Sequence, residues 1–371
     1  MNWHRIHRLG LVLGIITLVG AACGSTGGTG NTASVWATAT SEASGGGHDA
    51  LVAAAKKEGR LNVIALPPDW ANYGAIISGF TAKYGIRIDS ANPNGSSQQE
   101  VDAIKQLAGT NRAPDVVDVG MKVALANTDI FAPYQVSTWN DILAGQKEAT
   151  GLWVQDYGGF MGIGYDTSRV PGGTITAVSD LLKPGFKVAL AGDPTQSNQA
   201  LNGVILAAVA NGGSLDDVSK GVDFFHQLKV KGNFVPVVGT AATVKAGQTP
   251  VLFEWDYLST SHGKDIKTWK IFVPSDATIG GYYAQAINKN APHPAAARLW
   301  EEYLYSDEGQ NLWLKGGARP VRQAAMQTAN TIDAAAAAAL PPVTGTPQFP
   351  TQAQQTAAGA YLASHWSAAI S

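Results

Sequence analysis

The sequence predicts an α/β fold organised as two lobes. Short apolar runs of strand length alternate along the chain with longer segments whose apolar residues recur at helical spacing. This alternation is typical of mainly parallel sheets with helices on both faces. The body that follows the N-terminal region spans roughly 320 residues, which is more than a single hydrophobic core usually supports. We therefore expect two lobes, each with a mixed, mainly parallel sheet.

The first residues have the pattern of a secretory signal. Arg5 and Arg8 precede an apolar run over 11–22, which is too short for a membrane-spanning helix of about 20 apolar residues. Small residues then stand directly before Cys23, the only cysteine. This arrangement resembles the lipobox of bacterial lipoproteins, and it predicts a signal peptide over 1–22 and lipid attachment at Cys23. The alternative for a single cysteine is a buried free thiol.

The segment after Cys23 has the composition of a linker. Residues 24–47 are rich in Gly, Ser, Thr and Ala and carry almost no charge, so a flexible tether is expected over 23–47. The chain has 26 basic and 28 acidic residues without a basic block, which is not the charge pattern of a nucleic-acid-binding protein. A single cysteine excludes an intrachain disulfide, so packing must stabilise the fold.

The first part of the body alternates helix and strand. Asp49 is placed to cap a helix that ends near Gly59. Apolar residues at helical spacing predict a second helix over 73–84, and the sequence over 97–100 is typical of a capping box that starts a third. Strands are predicted between these helices over 61–66, 86–91 and 114–120.

A second α/β block begins with the long apolar run over 152–166. Strands are predicted over 187–190, 250–253 and 282–287, and helices over 178–182, twice between 199 and 228, and over 294–305 and 307–314. An Ala-rich segment and a Pro-rich break then precede a final amphipathic helix near 353–369.

Several short stretches together indicate a family. They are KEGRL at 57–61, KYGI at 83–86, APDV at 113–116, DLLKP at 180–184, and APHPAAA at 291–297, followed by YLYSDEGQ at 303–310 and ARPVR at 318–322. In this order and spacing they resemble the type II periplasmic solute-binding proteins, specifically the spermidine/putrescine and ferric-iron-binding branch. The resemblance covers roughly residues 50–325.

The resemblance implies two lobes that are crossed twice by the chain, with a ligand cleft between them that closes by a hinge motion. The implied lobes are 48–158 plus 281–325 and 159–280, and a helical segment over 326–371 packs on them. The crossings are expected near 157–164 and 278–284, where glycines either absorb backbone rotation or allow close strand packing.

The function implied by the resemblance is transport rather than catalysis. It is that of a monomeric lipoprotein on the extracytoplasmic face of the cell membrane, which captures a small molecule and delivers it to the permease and ATPase of an ABC importer. No cofactor is expected. The sequence has no G-x-S-x-G elbow, phosphate-binding loop or dinucleotide fingerprint, although a secreted hydrolase stays as an alternative.

The loops after the strands supply the candidate site residues, because ligands bind beyond the carboxyl ends of the strands in open α/β sheets. The predicted ligand-binding residues are Asp69, Trp70, Tyr73, Ser96, Ser97, Asp118, Thr195, Ser197, Glu254, Trp255, Asp256, Tyr257 and Tyr282. The acids and aromatics suit a cation such as a polyamine. The hydroxyls before helices suit an anion. A zwitterion such as an aminophosphonate would use both sets. The alternative for each residue is a structural role as a helix cap or a core residue.

Ferric iron is the alternative cargo. The family's iron binders use adjacent tyrosines after the strand that corresponds to 250–253, whereas this chain has Trp255-Asp256-Tyr257 there. Tyr282 and Tyr283 are adjacent but fall in a predicted strand, where neighbours face opposite sides, so one of them should face the cleft. The seven histidines are scattered, and no metal site is predicted.

Overall fold

The structure, a computed structural model, describes residues 32–371. The predicted signal peptide, Cys23 and the first part of the predicted tether lie outside the described residues. Within the described part, the strands are β1 (Arg60–Ile64), β2 (Arg87–Ala91), β3 (Val116–Gly120), β4 (Phe131–Ala132), β5 (Val154–Asp166), β6 (Val188–Leu190), β7 (Val251–Trp255), β8 (Trp269–Phe272), β9 (Gly280–Asn288) and β10 (Arg319–Pro320).

Helices surround these strands. They are α1 (Thr32–Thr38), α2 (Glu42–Gly45), α3 (His48–Glu58), α4 (Tyr73–Tyr84), α5 (Ser97–Gln106), α6 (Met121–Ala126), α7 (Asn198–Ala210), α8 (Ser219–Val230), α9 (Ala241–Lys245), α10 (Asp256–His262), α11 (Pro294–Leu304), α12 (Asp307–Lys315), α13 (Gln323–Ala329), α14 (Ala334–Ala338) and α15 (Gln352–Ile370). The segment Val178–Leu182, predicted as a helix, is a 3₁₀ helix. None of the described helices is both long enough and apolar enough to cross a bilayer.

The sheets are mixed, with more antiparallel pairing than the sequence predicted. β1 pairs with β2 and β6 with β7 in parallel, whereas the other six pairings all involve β5 or β9 and are antiparallel. The central path runs β3-β9-β5-β7-β6. The sequence pattern predicted mainly parallel pairing, which requires a crossover helix between neighbouring strands. β5 and β9 instead run opposite to the strands beside them.

β5 connects two parts of the sheet. Its first half pairs with β9 and β10, and its second half, from Met161 to Asp166, pairs with β7 and β8. β5 and β9 thus contain both predicted crossings. The lobe boundaries at 158/159 and 280/281 stay a prediction.

The glycines of the crossings lie at close contacts. A Cβ added at Gly281 would lie 2.6 Å from the Trp255 ring, and one at Gly159 would lie 2.7 Å from the Tyr257 ring. Neither glycine has a positive φ angle. Of the two readings of these glycines, the structure favours close packing over backbone freedom.

The predicted tether is only in part a tether. Within 32–47, Trp36 and Ala39 are buried in the main core, and the buried Arg298 donates a hydrogen bond to the Ala39 carbonyl at 2.8 Å. The described part of this segment is therefore docked on the body, which corrects the expectation of a flexible tether through residue 47. The segment's composition concealed a single tryptophan, whose burial offsets the entropy lost on ordering.

The C-terminal segment, residues 326–371, packs on the body. Gln348 exchanges backbone hydrogen bonds with Thr278 and Gly280, each of 2.8 Å. α15 then packs against α8, α7 and α6, with Trp366 edge-on to Phe225 at a ring-centroid distance of 5.4 Å. This helix therefore contacts elements from both predicted lobes.

Candidate ligand-binding site

A cleft of about 600 Å³ opens at the carboxyl ends of the strands. The loops after β1, β2 and β6 and the ends of β3 and β7 contribute to its lining, in agreement with the rule for open α/β sheets. Eight of the predicted ligand-binding residues line this cleft, namely Asp69, Trp70, Ser96, Ser97, Asp118, Thr195, Ser197 and Glu254.

Asp118 is the most constrained of these residues. It is 6 % exposed, near the carboxyl end of β3, and its Oδ2 accepts hydrogen bonds from the hydroxyls of Tyr73 at 2.7 Å and Tyr157 at 2.9 Å. Its Oδ1 is buried and has no hydrogen-bond partner among the described residues. A buried carboxylate oxygen without a donor is costly, so this atom is available to a donor that enters the cleft.

Two further carboxyl groups lie close to Asp118. The first is Glu100, which lines the cleft and accepts a hydrogen bond of 3.0 Å from the Asp118 backbone amide. The second is Asp156, which is linked to Tyr73 through Gln285, whose side-chain amide donates hydrogen bonds of 3.0 Å to both residues. Burial raises the pKa of Asp118 to about 7. Burial, together with the nearby Asp118 charge, also raises the pKa values of Glu100 and Asp156. Burial therefore favours the protonated form of all three carboxyl groups.

An aromatic wall stands beside the acids. The half-buried Trp70 lines the cleft and donates its indole N–H to the Tyr157 hydroxyl at 2.7 Å. Its ring meets those of Tyr283 and Tyr257 edge to face, with centroids 5.8 and 6.2 Å apart. These contacts fix the indole orientation, and a fixed ring next to carboxylates suits a cation.

The other side of the cleft carries a second acid. Glu254, on β7, is 3 % exposed, and its carboxylate lies 3.1 Å from Nε2 of His262 on α10. Both residues line the cleft. The exposed Asp69 adds a further carboxylate from the loop after β1. Lys122, the second residue of α6, is the only lysine or arginine among the lining residues of the described chain.

The four predicted hydroxyl residues line the cleft, and two of them cap helices. Ser96 and Ser197 accept hydrogen bonds from backbone amides in the first turns of α5 and α7. Ser97 accepts from the Gly120 amide at 3.0 Å, and Thr195 donates to Asp193 at 2.8 Å. Ser96 and Ser197 therefore act as helix caps, whereas Ser97 and Thr195 form other hydrogen bonds, so all four hydroxyls already have partners within the described protein.

Five predicted ligand-binding residues do not line the cleft. Tyr73 is fully buried behind Asp118. Trp255, Asp256 and Tyr257 are buried because α10 begins at Asp256 directly after β7, so the expected loop is not there. Asp256 forms an ion pair with Arg319 and accepts from the Phe160 amide at 3.0 Å. These three residues support the crossing strands rather than form the cleft surface.

The two adjacent tyrosines of β9 face opposite sides of the strand, as expected for strand neighbours. The residue that faces the cleft is Tyr283 and not the predicted Tyr282. Tyr283 lines the cleft, whereas Tyr282, the fifth of these residues, packs against Phe349 of the C-terminal segment at a centroid distance of 6.3 Å. The prediction that Tyr282 binds the ligand is therefore not supported by its position. Register decides this, because Tyr283 pairs with Gly120 at the cleft edge while Tyr282 pairs with Gly158 on β5.

Comparison with known proteins gives a family. The model of the bacterial extracellular solute-binding protein family matches residues 112–341, which is more than half of the chain. The chain belongs to this family. No curated protein sequence matches it.

Solved structures have the same fold. The periplasmic binding protein P5PA has a TM-score of 0.66 at 17 % identity over 84 % of this chain and 99 % of its own. Iron-bound HitA from Pseudomonas aeruginosa has a TM-score of 0.63 at 18 % identity over 84 % and 99 %, and the Atu4243-GABA receptor one of 0.62 at 16 % identity over 84 % and 97 %. The fold is therefore the mixed α/β, two-lobe periplasmic binding protein fold, as the sequence predicted.

The titratable cleft residues that were not predicted are Glu100, Lys122, His262 and Tyr283. The sequence places Glu100 in a capping box, but Ser96 caps α5 through Gln99, which leaves Glu100 facing inward. The sequence could have indicated that His262 faces the cleft only if a helix had been predicted to start at Asp256. Among residues 32–371, no group of three or more His, Cys, Asp and Glu side chains is arranged to hold a metal ion.

Proposed function

We propose that this extracellular solute-binding protein captures a small cationic or zwitterionic solute and delivers it to the permease and ATPase of an ABC importer. The observation that carries the proposal is that Asp118 lines the cleft and that its buried Oδ1 has no hydrogen-bond partner among the described residues. An ammonium group would donate to this oxygen and compensate its burial. Binding and transport, without chemical conversion, are the proposed activity.

The surroundings of Asp118 support an amine. Asp69, Glu100 and Glu254 add three acidic side chains to the lining. The basic side chains of the lining are those of Lys122 and His262. The Trp70 ring adds a face on which an alkylammonium group could rest through a cation–π interaction. A purely anionic solute would have to approach these carboxylates, which repel it.

A zwitterion fits the lining better than a simple polyamine. The N-termini of α5 and α7 also face the cleft through Ser96, Ser97 and Ser197, and helix N-termini favour anionic groups. One structural neighbour is a receptor for GABA, which is itself a zwitterion. Amino acids with a terminal amine and aminophosphonates are therefore the solute class that we propose first, with polyamines second.

Ferric iron is less favoured, although one neighbour binds iron. Of the described tyrosines, only Tyr283 lines the cleft, and Tyr257 is buried away from it. Hard Fe(III) requires several anionic oxygen ligands at one point, whereas the acids of this cleft are distributed around its lining.

We propose a location on the extracytoplasmic face of the cell membrane, with a lipid on Cys23 as the anchor. The basic and apolar segments before Cys23 support export, and the family is extracellular. Substitution of Cys23 by Ser should release the protein from the membrane fraction into the periplasmic or culture fluid. Fractionation with antibody detection tests this, and a Cys23→Ser variant that stays membrane-bound would contradict it.

A thermal-shift panel tests the cargo class. The mature protein is heated with putrescine, spermidine, 4-aminobutyrate, 2-aminoethylphosphonate, thiamine, ferric citrate and fructose 6-phosphate, one at a time. A solute that binds the folded state alone raises Tm by mass action. We expect amines or zwitterions to raise Tm and fructose 6-phosphate to leave it unchanged. Stabilisation only by ferric citrate, or only by the sugar phosphate, would overturn the proposal.

A further inference from the structure

Lys122 is a cation at the cleft surface without an ion-pair partner among residues 32–371. It follows β3 by two residues and lines the cleft. The lysines that form ion pairs in this part of the chain are Lys83, Lys183, Lys245 and Lys315, and Lys122 is not among them. An ammonium group that has no carboxylate partner, in a cleft whose lining also includes four acidic residues, is available to an anionic group.

The head group of Lys122 lies beside the C-terminal helix. Gly359 of α15 also lines the cleft, and a Cβ added at Gly359 would lie 2.9 Å from the Lys122 Nζ. The glycine therefore leaves the space that the lysine head group occupies. α15 is held in place on the other side by Trp366 and by a hydrogen bond of 3.0 Å from Gln354 to Asp216.

This part of the cleft is not shared with the family model. The match to the family ends at residue 341, and α15 begins at Gln352. Gly359 thus forms an end wall that the matched residues do not include. Lys122 lies within the matched range, but Gly359, which lies beside its head group, does not.

Lys122 and Asp118 are close along the chain. Lys122 follows Asp118 by four positions, so their Cα atoms are at most about 14 Å apart even in extended backbone. Both residues line the same cleft. Within the described part of the chain, Asp118 has a buried carboxylate oxygen without a hydrogen-bond partner, and Lys122 has an ammonium group without an ion-pair partner. A short solute with an amine at one end and an anion at the other would satisfy both groups together.

We propose that Lys122, positioned against Gly359 of α15, binds the anionic group of a short zwitterionic solute whose amine is held at Asp118. This inference rests on the proposed function, since it names the second of the two charged ends. Lys122 is thus the specificity-determining residue that separates a zwitterion from a simple amine of the same length.

The test compares solutes that share an amine and differ in the other end. Calorimetric titrations use 4-aminobutyrate against 4-amino-1-butanol, and 2-aminoethylphosphonate against ethanolamine, with wild type and Lys122→Gln. Wild type should bind at least one zwitterion about ten- to a hundredfold more tightly than its partner amine, because a hydrogen bond to a charged group is lost in the amine. Lys122→Gln should remove most of that preference, because it weakens binding of the zwitterion without weakening binding of the amine.

A pair of charge additions on α15 provides the matched control. Gly359→Glu sets a carboxylate beside Lys122 and should weaken the zwitterion as Lys122→Gln does. Ala360→Glu adds the same charge to the same helix at the neighbouring exposed position and should leave affinity unchanged. The melting temperatures of the apo proteins, measured in parallel, reveal any loss of fold.

The outcomes separate this inference from the proposed function. Equal binding of zwitterion and amine by wild type, or an unchanged preference in Lys122→Gln, overturns the role of Lys122 and leaves an amine receptor in place. Binding of neither member of either pair overturns the zwitterion and Lys122 together, and the wider panel then decides whether the proposed function also fails.

Discussion

Asp118 combines burial, two donated hydroxyls and one oxygen without a partner among the described residues. The sequence predicted this residue from its place at a strand end, because strand ends face the cleft of an open sheet. It could not predict that the hydroxyls of Tyr73 and Tyr157, distant in sequence, would meet on one oxygen. The hydrogen bonds lower the pKa, burial raises it more, and the net pKa is about 7.

The raised pKa has a consequence for stability. The folded protein binds the Asp118 proton more tightly than the unfolded chain does, so the stability associated with this group is present at low pH and is lost as pH rises through about 7. The amide in Asp118→Asn cannot ionise, and its oxygen can still accept from both tyrosines. The apo variant should therefore be more stable than wild type at pH 8, by about 1–3 kcal/mol.

Urea unfolding at pH 8 and pH 5 checks this difference in the free energy of unfolding. The advantage of Asp118→Asn should shrink at pH 5, where Asp118 is protonated in the folded wild type. A variant that is less stable than wild type at pH 8 would mean that the carboxylate is stabilised in the apo protein.

Asp256 was predicted to line the ligand cleft, but the structure places it in the interior. Its carboxylate is fully buried, paired with Arg319 and bonded to the Phe160 amide. Burial raises its pKa, and the Arg319 charge opposes that rise. The carboxylate thus stabilises the join between β7, β5 and β10, and nothing in a linear sequence reveals that α10 starts without a loop.

Removal of one partner of this ion pair should destabilise the apo protein. Asp256→Ala leaves the largely buried Arg319 without its carboxylate, which should cost about 3 kcal/mol. Chemical denaturation measures this loss. Asp69→Ala, at an exposed cleft acid, is the control and should change stability by less than about 0.5 kcal/mol. An Asp256→Ala protein with wild-type stability would show that the pair contributes nothing.

Among the elements, β5 best illustrates what the sequence could predict. The apolar run over 152–166 predicted a long buried segment, and the strand covers Val154–Asp166. That the strand serves two parts of the sheet follows only from pairings with β9, β7 and β8. Hydrophobic patterns identify a buried strand, but they do not identify its neighbours or their directions.

The N-terminal segment illustrates the opposite case. Its composition predicted a tether, yet the capping box at Ser41 and Ser44 and the burial of Trp36 order its described part. One large aromatic side chain in a polar, Gly-rich segment was sufficient to dock it. Composition averages over a segment and so overlooks a single residue of this kind.

The crossing strands should not tolerate a larger residue at their glycines. Gly281→Ala would bring a methyl group to 2.6 Å from the Trp255 ring, and overpacking of this kind typically costs about 1–3 kcal/mol. Gly145, whose added Cβ would meet nothing within 4 Å, provides Gly145→Ala as a control. Thermal unfolding of both variants checks the difference, and equal melting temperatures would show that the strands can separate locally.

At the scale of the whole molecule, the predicted two-lobe fold and the solute-binding protein family are confirmed, whereas the spermidine/putrescine and ferric-iron-binding branch stays a prediction. It predicted eight cleft residues and missed the contribution of α15, because that helix reaches the cleft only through tertiary packing on α6, α7 and α8. We expect solute binding to shift the population towards a closed form, as a hinge motion between two lobes would allow.

Closure should make the molecule more compact. Small-angle scattering of the mature protein with and without the solute that gives the largest thermal shift should show a smaller radius of gyration when it is bound. Asp118→Asn at the same solute concentration serves as the unliganded control. An unchanged radius in the bound wild type would indicate a cleft that is already closed before binding.

The central claim is that Asp118 holds the cationic group of the solute. Calorimetric titration of wild type and Asp118→Asn with the most stabilising panel amine, at pH 8 and pH 6, tests it most directly. Because burial places the pKa of Asp118 at about 7, wild-type affinity should fall about tenfold from pH 8 to pH 6. Asp118→Asn should bind weakly at both values. Equal affinities of the two proteins at pH 8, or tighter wild-type binding at pH 6, would contradict the claim.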